Sequence, residues 1–119
     1  MRTKAEAMKD VGKVLRHRVV IQRKTVEADE IGNSVETWRD WRTVWAERSN
    51  LWGREYYAAK MVGEEETVVF MIRRAAFVRE IDTVNHRLVH LGSAYDIKQI
   101  DLVDDAWVKV KAMERGASG

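Results

Sequence analysis

His86 and His90, four residues apart, are the first groups in this chain whose spacing suggests chemistry. On a helix that interval puts two imidazoles on one face, as a zinc site requires. The segment HRLVH reads instead as turn and strand, where four residues span ~13 Å, so surface or hairpin residues are the expectation. The acidic runs Glu64–Glu66 and Asp104-Asp105 carry hard oxygen ligands, yet neither has the spacing of a calcium loop, and solvated turns are expected. The serines (Ser34, Ser49, Ser93, Ser118) never occur in a strand–GxSxG–helix setting. With no cysteine there is no thiolate nucleophile and no disulfide. The glycines stand singly, which excludes a glycine-rich phosphate loop. No catalytic, cofactor or metal constellation is expected, and an enzyme is not expected.

The remaining chemistry is aromatic and cationic. Trp38, Trp41, Trp45, Trp52, Tyr56 and Tyr57 all fall between Val35 and Gly63. Lys13, Arg16, Arg18, Arg23 and Lys24 occupy Val11 to Val26 with no acid among them, whereas acids gather at Glu27–Glu30, Glu64–Glu66 and Asp101–Asp105. Arginine-rich strands with aromatics suit single-stranded nucleic acid, but the tryptophans stand at the periodic positions a core wants. A net charge of +2 is too small for a dedicated nucleic-acid binder. Patches of opposite sign suit a surface that meets copies of itself or a charged partner; the bland alternative is that the turns are merely acidic.

The elements that position these groups read mostly as strands. Leu15–Val26 alternates, and Glu27–Ser34 is turn-rich, with Gly32-Asn33 able to take positive φ. Val35–Ala46 also alternates, with Trp41 and Trp45 on one parity and Trp38, Val44 and Ala46 on the other. From Leu51 the apolar spacing lengthens to three and four, which predicts a short amphipathic helix ending at Gly63. Thr67–Ala75 is apolar on both parities and so is buried on both faces. Arg87–Leu91 and Tyr95–Ile100 read as a hairpin about Gly92, and Ala106–Met113 alternates cleanly. The expected core includes Trp41, Trp45, Val69, Phe70 and Ile72, with Trp41 or Trp45 packed on the Val68–Ile72 strand. Six strands without a βαβ pattern predict a mainly β fold: a small antiparallel barrel with one short helix between the second and third strands.

With 119 residues the chain makes one domain. It divides into a flexible segment 1–13, the barrel at 14–113 and a flexible tail 114–119. At 45% apolar and 34% charged residues, global disorder is not expected. No apolar run approaches the ~20 residues of a bilayer span, and MRTKAEAMKD lacks a signal-peptide core. Folding in a cytoplasm is the expectation.

The order LRHRVVIQ (Leu15–Gln22), Gly32, W-x-x-V-W-A-E (Trp41–Glu47), LWGREYYAA (Leu51–Ala59), VVFMIRR (Val68–Arg74) and LGSAYDIKQI (Leu91–Ile100) resembles the head–tail joining, or head-closure (stopper, adaptor), proteins of tailed bacteriophages and prophages. The resemblance covers residues 14–113. It implies a virion protein, assembled in the bacterial host cytoplasm, that forms a homo-oligomeric ring below the portal or adaptor. Such a ring joins head to tail, meets a tail-completion or tail-terminator protein, and helps close the channel through which double-stranded DNA passes. It also implies a gating loop between the second and third strands, here the region from Ser49 to Glu66, so Glu64, Glu65 and Glu66 are the candidate channel loop. Arg16, Arg18, Arg23 and Lys24 on one side, and Asp29 and Glu30 on the other, are the candidate faces of a heterologous subunit contact. The alternative is a small barrel that binds single-stranded nucleic acid or another protein.

Overall fold

In a computed structural model, which describes residues 15–116, the alternating segments become β1 (His17–Ala28), β2 (Ser34–Asn50), β3 (Val68–Arg73), β4 (His86–His90), β5 (Ser93–Leu102) and β6 (Trp107–Glu114). They close into a barrel in the order β1-β2-β3-β6-β5-β4, antiparallel at every seam. Within the barrel, closure removes the sheet edges that the strands would otherwise expose. The single helix, α1 (Gly53–Met61), connects β2 to β3. The expected segment 1–13 lies outside the described residues. Of the expected tail 114–119, Glu114 pairs with Tyr95 and the Arg115 amide donates to Ala94 O at 2.7 Å, while 117–119 lie outside the described residues.

Strand periodicity fixes the interior. On β3, Val68, Phe70 and Ile72 point inward and meet Val19, Ile21, Leu88, Ile97 and Val110. Val69, although buried, has the opposite parity and lies outside that cluster, as does Trp107. Trp107 is covered by the Arg73 guanidinium, 5.0 Å from its ring, and its amide is bound by the Asp104 carboxylate at 3.0 Å. A 3-10 turn (Ala76–Glu80) crosses from β3 to β4 and plugs one end of the barrel with Val78, Ile81 and Phe77.

The paired tryptophans of the sequence do not share a face. The β1–β2 register jumps from Ile21↔Arg42 to Gln22↔Asp40, which leaves Trp41 as the extra residue of a β-bulge. The bulge turns Trp41 toward the plugged end, edge-on to Phe77 at 5.6 Å and tilted against His86 at 5.1 Å. Trp45 stays in phase with the outer face and is 49% exposed. Trp45 is therefore not a core residue, and neither tryptophan is a cross-strand partner of Val68–Ile72, which pair with Ala46–Asn50.

The helix also differs from expectation. It is shorter than Leu51–Gly63, and none of its residues is buried. Trp52 precedes it and is 84% exposed; Tyr57 and Met61 point into solvent as well. Gly53 opens the helix at φ +62°, a conformation that favours glycine. No helix among the described residues is long and apolar enough to cross a membrane.

β1 and β2 outrun the barrel. β4 pairs with β1 only over Val20–Arg23, and β3 pairs with β2 only from Ala46 onward. Beyond Lys24 the two strands therefore continue as a two-stranded arm. Free-standing hairpins are marginal in water, and this one is braced. Arg39 forks onto Glu27 with bonds of 2.8 and 2.9 Å, and Lys24 reaches Glu36 at 3.6 Å.

Candidate functional site

Three groups of polar residues stand out: the cation–indole ladder along the arm, the histidines inside the barrel, and the glutamate turn after α1. The ladder explains both the basic first strand and the tryptophan-rich second strand. Arg18 and Lys24 are the direct cross-strand partners of Trp45 and Trp38, and their charged groups lie 4.7 and 5.3 Å from those rings. The Arg23 guanidinium sits 4.3 Å over Trp41 and also reaches Glu80 at 3.4 Å. Trp38 receives two further cations from the barrel wall, Arg87 of the neighbouring β4 at 4.6 Å and Arg115 just past β6 at 5.7 Å. Each contact contributes about 0.5–1 kcal/mol at an exposed site. Trp38, Trp41 and Trp45 thus each have a face taken by the chain's own cations, while Trp45 stays 49% exposed and Trp52 84% exposed.

A hydrogen-bonded row fixes the base of the arm to the barrel wall. Gln22 donates to Asp40 at 2.8 Å, Arg87 donates to Gln22 at 2.7 Å, and Arg115 lies 3.3 Å from Asp96. Burial and the neighbouring Arg115 charge lower the pKa of Arg87. At the far end, Asp29 organises the tip: its carboxylate accepts the amides of Ile31 at 3.0 Å and Asn33 at 2.8 Å. Gly32 takes φ +86° there. The tip presents Glu30 and Ile31 to solvent, with Ile31 82% exposed.

His86 and His90 are interior residues, not surface or hairpin-turn ones, because with Leu88 they share the inward parity of β4. The His86 Nε2 lies 3.2 Å from the Arg23 Nε, and its Nδ1 lies 3.1 Å from the Asp82 amide and 3.5 Å from the Asp82 carboxylate. His90 Nε2 lies 3.2 Å from His17 Nδ1, and its ring meets Phe70 edge-on at 5.7 Å. Burial, then the charges of His17 and Arg48, lower the pKa of His90. The His17–His90 contact joins residues 73 apart in sequence, and no local pattern announces it. No group of three or more metal-ligating side chains occurs among the described residues.

The candidate channel loop is a tight turn. The Glu64 amide closes onto Ala59 O at 2.8 Å, and the Glu64 carbonyl accepts both the amide and the hydroxyl of Thr67, at 3.1 and 2.7 Å. The three carboxylates diverge. Glu64 and Glu66 are exposed and Glu65 is half-buried; Glu65 and Glu66 both border a cavity of about 570 Å³ shared with Arg48, Tyr56, Tyr95 and Met113. Glu65 Oε2 and Arg48 Nε are buried there without a hydrogen-bond partner among the described residues. Of the candidate interface residues, Arg16 is exposed at the start of β1, Arg18, Arg23 and Lys24 belong to the ladder, and Asp29 and Glu30 form the tip. The structure therefore puts the basic residues and the acidic tip on one continuous ribbon rather than on separate faces.

The fold has relatives among solved structures. A protein of Shigella flexneri 2a, known from its solution structure, superposes with a TM-score of 0.70 at 23% identity, over 88% of this chain and 96% of that one. A chain in the virion of a native gene transfer agent particle superposes with a TM-score of 0.54 at 19% identity, over 87% and 97%. At these identities the likeness establishes the barrel fold. Among curated proteins, none matches the chain. The family model described as phage head completion protein matches residues 13–114, the whole barrel with its arm and helix, and the chain belongs to that family.

Proposed function

We propose that this phage head structural protein is a non-enzymatic connector that forms a ring at the head–tail junction, seated on a portal or adaptor and followed by a tail-completion or tail-terminator protein. The observation that carries the reading is the arm. Inside the subunit it covers no core, yet an ion-paired ribbon and a capped turn hold its tip in one shape. A rigid, solvent-facing projection on a small barrel serves contact with another subunit. The gene transfer agent chain of like fold belongs to a virion, which supports a virion location.

In this reading double-stranded DNA passes through the ring, and the turn after α1 approaches the channel. With Glu65 half-buried, the exposed Glu64 and Glu66 provide the carboxylates of the collar. They repel the phosphate backbone over a screening length of about 8 Å at physiological salt, so DNA slides past without adhering. The test mixes the purified protein with the portal, or portal plus adaptor, of the same phage and images the complex. An added ring is expected, and portals that remain bare under every combination overturn the connector reading. Changing Glu64, Glu65 and Glu66 to lysine tests the channel placement separately: assembled particles should release DNA slowly, and normal ejection from them would sink it.

A further inference from the structure

The outer wall beside α1 carries a groove of about 500 Å³ that the fold leaves open. Its floor is Leu51, Val69 and Met71, and its lip is the exposed Trp52. Apolar surface gathered in a concave site is where a projecting apolar side chain gains most on association. The rim is mixed in charge but leans positive. Lys111 is engaged by Glu55 at 3.3 Å and Asp101 at 3.4 Å, while Arg54 and Lys109 make no ion pair among the described residues. Glu47, which also borders the groove, has one carboxylate oxygen buried without a partner.

The arm tip is the matching shape. Ile31 projects from it, and Val26 and Val35 stand exposed on the strands behind. Glu27 and Glu36 are consumed by Arg39 and Lys24, but Glu30 makes no ion pair among the described residues, and Asp29 is bound only by backbone amides. Among the described residues, an unpaired acid, Glu30, beside an exposed isoleucine thus complements in charge the unpaired bases Arg54 and Lys109 beside an apolar groove.

Topology supplies the third point. β2 begins in the arm and ends at α1, so tip and groove lie at opposite ends of the barrel. A tip cannot reach its own groove, but it can reach that of a neighbour set head to tail. Such a contact is heterologous, and repeated with a rotation it closes a ring.

We propose that the arm tip of one copy seats in the groove beside α1 of the next, with Ile31 on the Leu51–Val69–Met71 floor and Glu30 against Lys109 or Arg54. This rests on the ring reading above and names the contact that builds the ring. The contact is small. A few apolar side chains fall short of the ~1,200 Å² buried in stable complexes, so the subunit is monomeric alone and joins its neighbours when a portal or adaptor aligns them.

The absence of native cysteine permits a direct test. Portal-templated assemblies are made with the double variant Ile31→Cys/Met71→Cys and treated with a short bis-maleimide. Each copy then offers one tip and one groove, so a ladder of covalent multimers is expected. Either single variant should stop at dimers or below, and the control Ile31→Cys/Val84→Cys, whose second site is exposed elsewhere, should give no ladder. Should Met71→Cys impair folding, Ser49→Cys marks the same groove. A second arm uses charge. Glu30→Lys and Lys109→Glu should each lower incorporation several-fold, and their combination should restore it. A ring seen by imaging but without a ladder, and without charge rescue, overturns the arm–groove contact and leaves the ring reading standing. Bare portals instead overturn the ring reading beneath it.

Discussion

Trp41 and Trp45 are four residues apart on one strand and chemically identical, yet the bulge at Trp41 gives them different surroundings, so truncating each tests that geometry. Trp45 is 49% exposed, with the Arg18 guanidinium 4.7 Å from its ring. Half of an indole's ~250 Å² is about 125 Å², at most about 3 kcal/mol at ~25 cal/mol per Å². Arg18 remains after truncation and settles on the vacated strand, so no cavity is left, and Trp45→Ala should cost about 1 kcal/mol, near the value of one exposed cation–π contact. Trp41 is held by Phe77, His86 and the guanidiniums of Arg23 and Arg42, and it packs on the buried core. Its removal opens space under the plug that the ordered 3-10 turn cannot refill, and Trp41→Ala should cost about 3–4 kcal/mol. Urea titration followed by far-ultraviolet circular dichroism separates the two. With a slope of about 2 kcal/mol per molar, the midpoints of the variants should differ by about 1 M, Trp41→Ala unfolding first. Coincident midpoints, or the reverse order, would refute the bulge as the reason the tryptophans diverge.

Hydrogen bonds from the Asn85 amide and side chain and the Val84 amide, with His86 nearby, hold Asp82 down at about 2 despite partial burial. Its stabilisation is therefore present above the unfolded carboxylate value near 4 and is lost as pH falls from there through about 2. Because Asp82 is about half exposed, solvent screening leaves about 1 kcal/mol; acid titrations of wild type and Asp82→Ala should converge below pH ~2. His90 acts at higher pH. Its lowered pKa means the unfolded chain binds the proton first, so stability should start to fall as pH drops below ~6.5. His90→Phe should flatten that portion of a stability–pH curve and leave the Asp82 portion intact. At Gly53 a new Cβ meets nothing within 4 Å, so the whole cost of Gly53→Ala comes from φ +62°, about 1 kcal/mol in a thermal melt.

Much of the barrel was legible because alternation is a local signal. Val68, Phe70 and Ile72 announce an inward face wherever the strand is placed, and Val108, Val110 and Ala112 do the same for its partner. The position of Trp41 was not legible, since a bulge inserts one residue into a run that alternates properly on both sides of it. The open character of α1 was hidden by composition: Trp52, Tyr56 and Ala59 have helical spacing, but spacing does not say whether another element arrives to cover them. The arm was hidden for a related reason. Val26 and Val35 continue the beat of their strands beyond the point where β4 and β3 stop pairing, and that point is set by where those other strands end, β4 lying 63 to 69 residues along the chain from the β1 residues it pairs with.

The basic stretch and the tryptophan stretch looked like separate signals in the sequence, one for a partner and one for a core. Their register makes them one feature. Arg18↔Trp45 and Lys24↔Trp38 are cross-strand neighbours, and Arg23 covers the bulged Trp41, so cations and indoles satisfy each other within the subunit. This leaves the ladder poorly suited to bind phosphates or bases and well suited to stiffen a two-stranded ribbon that would otherwise fray. Stiffness matters for the proposed contact: a tip already held in one shape loses little entropy on seating. In the proposed contact the charge-rich strand is then a mechanical support, and recognition falls to the short acidic turn it carries, where Glu30 and Ile31 face outward beside an Asp29 already committed to the backbone.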